Sequence, residues 1–141
     1  MLIVIRISGM VDVSENVGYL LNNINLRRKY VSILMDETDE NRKLLNKIRS
    51  FVAFGTITHE NLVKLISLRG EKVDKTKIDA ESIAKMLDKK SLRELNMKPF
   101  FRLHPPRKGI ESKKHFGVGK GVLGDNKEKI NLLLERMLWL N

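Results

Sequence analysis

The run LIVIRIS (Leu2–Ser8) decides the fold of this chain. It is β-branched and almost continuously apolar, with Arg6 its only charge. A strand with one wet face alternates apolar and polar residues, whereas a strand covered on both faces reads as an unbroken apolar run. The stretch therefore predicts a central strand with cover on both sides.

Working outward, Ser14 is placed to cap a helix whose apolar residues Val17, Leu20, Leu21 and Ile24 recur at helical spacing. Gly18 inside that helix costs about 1 kcal/mol relative to alanine, and close packing is the one account the sequence offers for it. YVSILMD (residues 30–36) reads as a second strand. Thr38 or Asp39 then caps a helix with Leu44, Leu45, Ile48, Phe51 and Val52 on one face, and FGTIT (residues 54–58) is a short third strand. Residues 1–58 thus form a β-α-β-α-β core, near the lower size limit for an independent core. By the right-handed crossover rule alone, its strands would be parallel.

Residues 59–98 read as a helical insertion. A helix capped by Thr58, with His59 at its start, ends at Arg69–Gly70. A charged linker and a helix capped by Asp79 follow, then the capping-box pattern SLRE at 91–94. Residues 99–141 are a Gly/Pro-rich stretch of little periodicity followed by a terminal helix. Asp125 is the expected cap of that helix, with Glu128 completing a capping box and Ile130, Leu133, Leu134, Met137 and Leu138 forming its apolar stripe.

The 141 residues carry a net charge of +10, with a pI near 9.9. Such an excess favours a polyanionic partner. Its placement is uneven: residues 99–127 hold seven Lys/Arg against two Asp/Glu, half of the net charge in 29 residues. The 42% apolar and 31% charged fractions are those of a folded soluble domain, and no apolar run is long enough to span a bilayer. The N-terminus lacks a signal-peptide pattern. Absent cysteines exclude disulfides and thiolate metal sites and fit a reducing cytoplasm, and the three histidines show no ligand spacing. No catalytic constellation, metal site or cofactor is expected. The acidic run DETDE (36–40) sits where a helix N-terminus favours carboxylates.

The segment Gly119–Gly124 matches G-x-G-x-x-G by letter. A dinucleotide fingerprint needs a strand before it and a βαβ unit around it, and the preceding ESKKHFGV reads as no strand. Lys120 is followed by glycine, which excludes a P-loop, and Asp125 would occupy the helix end that a phosphate needs. The surrounding stretch suits a nucleic-acid backbone better. Arg102, Arg107, Lys108, Lys113, Lys114, Lys120 and Lys127 supply charge for phosphates, while Phe101, His104, His115 and Phe116 are candidates to stack on bases. Arg27, Arg28 and Lys29 form a second basic cluster, which by itself is an ordinary solvated turn.

FRLHPPRKG (residues 101–109), KKHFGVGKGVLG (113–124) and KINLLLERML (129–138) together resemble the archaeal and eukaryotic form of the large-subunit ribosomal protein thirty family, whose eukaryotic members are numbered seven. VIRISGMVDV, LRRKYVSILMDET and FVAFGTI extend the likeness over nearly the whole chain, in the family's order. The resemblance implies an α+β fold: a three-stranded antiparallel sheet with the first strand in the middle, two helices on one face, a helical insertion and a C-terminal extension. It implies a structural, non-catalytic component of the large ribosomal subunit in the cytoplasm. Its partners would be large-subunit ribosomal RNA and neighbouring ribosomal proteins, with no membrane or small-molecule substrate. The family's basic loop carries over onto Arg102, His104, Arg107, Lys113, Lys114 and Lys120, and its basic turn onto Arg27, Arg28 and Lys29. The family commonly has Arg-Gly-Gly after the proline pair, where this chain has Arg107-Lys108-Gly109-Ile110. The start directly at the first strand favours an archaeal source. An RNA-binding protein outside the ribosome and a nucleotide-binding protein using Gly119–Gly124 are the alternative readings.

Overall fold

In the computed structural model, the described residues are 1–9, 14–70, 80–87, 94, 95, 97–106, 111–117 and 121–138, with backbone alone for 111–113. The LIVIRIS strand is β1 (Leu2–Arg6), and all five of its residues are buried. It lies between β2 (Val31–Met35) and β3 (Val52–Thr56), antiparallel to both, with Val4 opposite Ile33 and Phe54. The antiparallel core implied by the family resemblance is what forms, and the parallel arrangement suggested by the crossover rule is not.

Strand alternation divides the core. Leu2 and Val4 point to one face, where Leu21 of α1 (Glu15–Asn23) and Leu45 and Ile48 of α2 (Asp39–Ile48) cover them. Ile3, Ile5 and Ile7 point to the other. There they meet α3 (His59–Arg69), α4 (Ala80–Met86) and α5 (Ile130–Met137), through Leu65, Ile66, Ile83, Leu133, Leu134 and Met137. Two helices do cover one face of the sheet, and the insertion and terminal helices cover the other. That double cover is why β1 needs no polar side.

The expected caps form at three helices: the Ser14, Thr38 and Thr58 hydroxyls accept from the N–H groups of Val17, Asn41 and Asn61 at 3.2–3.3 Å. The Asp79 cap and the start of the SLRE turn lie outside the described residues. Gly18 departs from expectation. A Cβ there would meet nothing within 4 Å, so no close packing requires the glycine.

The larger corrections concern residues 99–127. Its described residues include three strands, which extend the sheet at both ends. Short β4 (Phe101–Arg102) pairs antiparallel with β2. Following it, β5 (Glu111–His115) and β6 (Gly121–Asp125) pair with each other in an irregular parallel register, and β6 adds parallel to β3. The strand order is β4-β2-β1-β3-β6-β5. Asp125 ends a strand rather than capping the terminal helix. A 3-10 turn (Lys127–Lys129) intervenes, and the Asp125 carboxylate accepts from the Lys127 N–H at 2.8 Å and from the Arg42 guanidinium at 3.1 Å. Arg42, which also pairs with Glu37, has its pKa raised, chiefly by the hydrogen bond to Glu37 and also by the one to Asp125.

Buried amides fasten the extension to the core. Asn131 of α5 accepts from the Thr58 N–H and Asn61 Nδ2, and donates to the Thr56 and Glu128 carbonyls, all at 2.7–3.0 Å. Asn126 donates to the Val122 and Gly124 carbonyls. Gly55 is needed for close approach: a Cβ there would lie 2.2 Å from the Lys127 carbonyl oxygen.

Candidate nucleic-acid interface

The described part of the glycine segment, Gly121–Gly124, builds an inner strand of the sheet between β3 and β5, not a phosphate cradle. ESKKH, read from the sequence as no strand, is β5, but it runs beside the glycine segment instead of leading into a strand-loop-helix unit. Gly121 lies directly under β5, where a Cβ would sit 2.2 Å from the His115 carbonyl and 2.7 Å from that of Lys114. Gly124 has φ +92°, in the region that favours glycine. Both glycines thus have structural reasons for being there that require no ligand.

The two basic clusters that the sequence kept apart meet at the β2/β4 edge. Val31 pairs with Arg102, and the Leu103 N–H donates to the Tyr30 carbonyl at 3.0 Å. Arg27, Arg28, Lys29 and Arg102 are all exposed there. Each half carries a cation over an aromatic ring: Lys29 Nζ lies 5.0 Å from the Tyr30 centroid, and Arg102 Cζ lies 5.7 Å from that of Phe100. Guanidinium and ammonium groups beside aromatic rings suit phosphates and unpaired bases together.

This arrangement is held from below. Tyr30 has φ +66°, a left-handed conformation that costs a tyrosine about 1–2 kcal/mol and persists only where neighbours enforce it. Its N–H donates to the Arg6 carbonyl at 2.7 Å, and its own carbonyl is held by Leu103. The Arg6 side chain, 2% exposed, donates to the carbonyls of Leu26, Ser8 and Gly9 at 2.7, 2.9 and 3.2 Å. Burial lowers its pKa, yet an arginine keeps its charge in proteins. Arg6 thus holds both ends of the turn that presents Arg27, Arg28 and Lys29.

Phe101 is a correction. It is fully buried, packed in the core beneath α3 and α5, so no ring face is open to a base. Its neighbours in sequence do the presenting: alternation along β4 sends Phe101 inward and leaves Arg102 outside. His104 is half-buried, and its N–H donates to the Met137 carbonyl. Lys114, His115 and Phe116 are exposed on the opposite edge of the sheet, where Lys129 Nζ lies 5.9 Å from the Phe116 centroid. Arg107, Lys108, Lys120 and the Lys113 side chain lie outside the described residues. Tyr30, Phe100 and Lys129 were not foreseen. The signal that could have revealed Tyr30 is its place directly after the basic run and before a strand.

No family model matches the chain. Among curated proteins, it is 35% identical to the large ribosomal subunit protein uL30 of Archaeoglobus fulgidus, covering 97% of this chain and 99% of that one. It is 31% identical to the uL30 protein of Methanosphaera stadtmanae, over 96% and 98%, and 34% identical to that of Nanoarchaeum equitans, over 96% and 97%.

Proposed function

The chain belongs to the large ribosomal subunit protein uL30 family, and from that premise we propose that it is a structural component of the large subunit that binds and stabilises ribosomal RNA in the cytoplasm. The observation that carries the RNA-binding part is the meeting of the Arg27–Tyr30 turn with β4, which converts two ordinary basic segments into one cationic, aromatic-bearing surface.

In this reading Arg27, Arg28, Lys29, Arg102, Lys114 and His115 contact RNA directly, with Phe116 stacking and His104 at the border. Arg107, Lys108, Lys113 and Lys120 add charge to the same extension. Neighbouring large-subunit proteins are the further partners. The division into a core (1–58), a helical insertion (59–98) and an RNA-binding extension (99–141) is one of role, because strands of the extension join the core sheet. The protein acts by binding and shape, with no catalytic step. Positioning by phosphate contacts is sequence-independent, so specificity must come from RNA shape and from bases displayed to the rings.

Sucrose-gradient fractionation tests this directly. The tagged protein is expected to sediment with large subunits at moderate salt. Its recovery only in free fractions, or on other RNAs, would overturn the ribosomal role.

A further inference from the structure

Among the described residues, the cation–ring pairs of the candidate interface fall into two groups on opposite edges of one sheet. One group lies at β4 and the β2 turn: Arg28, Lys29 beside Tyr30, and Arg102 beside Phe100. The other lies at β5 and the 3-10 turn: Lys114, His115, and Phe116 with Lys129 against its ring. Between the two edge strands stand β2, β1, β3 and β6. Five inter-strand steps of about 4.8 Å separate the edges by about 24 Å. A twist of roughly 20–25° per step turns them by about 100° or more relative to each other. The central strands between them present no surface of their own: β1 is wholly buried, and β3 is buried at four of its five residues. The two groups are therefore set apart in both distance and direction, rather than lying side by side on one face.

Building on the ribosomal RNA-binding reading, we infer that the sheet is a two-sided clip that holds two separate RNA segments, one at each edge. Its rigidity fixes the distance and angle between them. The second edge includes Lys129 as an RNA contact, placed by the turn that separates β6 from α5. Each edge offers cations for phosphate beside aromatic rings, exposed at Phe116 and half-buried at Tyr30 and Phe100, so each binds a short single-stranded RNA by itself.

The test uses the full chain and two single-stranded RNA decamers, one biotinylated and one fluorescent, at 150 mM salt. Wild-type protein should carry the fluorescent RNA onto streptavidin, with two RNAs bound per protein by titration. Arg28→Ala/Arg102→Ala and Lys114→Ala/Lys129→Ala change exposed residues only. Each should reduce the stoichiometry from two to one and abolish bridging, while the surviving edge keeps its affinity within about twofold. A wild-type stoichiometry of one, weakened by both variants alike, would overturn the clip and leave the RNA-binding function standing. An unchanged stoichiometry in either variant would likewise overturn it. No RNA binding by the wild type would overturn both.

Discussion

Replacing Asn131 with leucine should cost much of the protein's stability while adding apolar bulk to an apolar core. The two side chains share the same branched four-atom shape, so the loss comes chiefly from hydrogen bonding. In the wild type the amide satisfies the Thr58 N–H, Asn61 Nδ2, and the carbonyls of Thr56 and Glu128. Asn61 is 4% exposed and Asn131 8%, so water replaces little of what is lost. A buried polar group left unpaired costs roughly 1–3 kcal/mol. With Asn61 Nδ2 stranded outright and the Thr56 and Thr58 groups partly so, the expected loss is about 2–5 kcal/mol. That is a large share of the roughly 5–15 kcal/mol that stabilises a domain. In urea, with a mid-range slope of about 2 kcal/mol per molar, the midpoint should fall by about 1–2.5 M at unchanged slope. Asn131→Asp keeps the acceptor for Thr58 and Asn61 but sets a carboxylate oxygen against the Thr56 and Glu128 carbonyls, so it should destabilise the protein as well. A midpoint shift in Asn131→Leu worth less than about 0.5 kcal/mol would refute the view that this amide fastens the extension to the core.

Further substitutions probe other parts of the structure. Gly18→Ala should stabilise the protein by about 0.5–1 kcal/mol, read as a raised melting temperature, because a Cβ there meets nothing. Gly55→Ala should lower the urea midpoint by the equivalent of 1–3 kcal/mol or more, since the Lys127 carbonyl and Ile130 must be pushed away; a neutral result would show that the 3-10 turn yields freely. Arg6→Lys keeps the charge but loses the planar fork that reaches three carbonyls. It is expected to weaken RNA binding severalfold as well as to destabilise the fold, and unchanged affinity in the folded variant would show that Arg6 does not position the basic turn.

Much of the fold was legible because local rules agreed with the tertiary outcome. The nearly continuous apolar run of β1 announced cover on both faces, and the Ser14, Thr38 and Thr58 caps fell where hydroxyls precede apolar periodicity. The sense of the strands was not legible from residue order, and the family resemblance supplied it. The strands of the extension escaped because their signals are weak. β4 is two residues long, ESKKH is polar along its length, and GVLGD contains two glycines. Asp125 misled because an acid followed three residues later by Glu128 looks like a capping box, while a strand end and a 3-10 turn use it differently. In the candidate site, charge was legible and burial was not. Two adjacent phenylalanines look equivalent in sequence, and the β2–β4 pairing alone decides that Phe101 is core and that Arg102 beside Phe100 faces out. The meeting of Arg27–Lys29 with Arg102 links positions more than 70 residues apart, and no local pattern encodes it.

The central claim is that this meeting forms an RNA-binding surface, and the salt dependence of binding to large-subunit ribosomal RNA tests it most directly. Each phosphate contact contributes about 0.7–0.9 to the slope of log affinity against log salt. Arg28→Ala/Arg102→Ala should therefore flatten that slope by about 1.5 and weaken binding, whereas substitutions at Asp36–Glu40 should do neither. An Arg28→Ala/Arg102→Ala slope equal to that of the wild type would contradict the account.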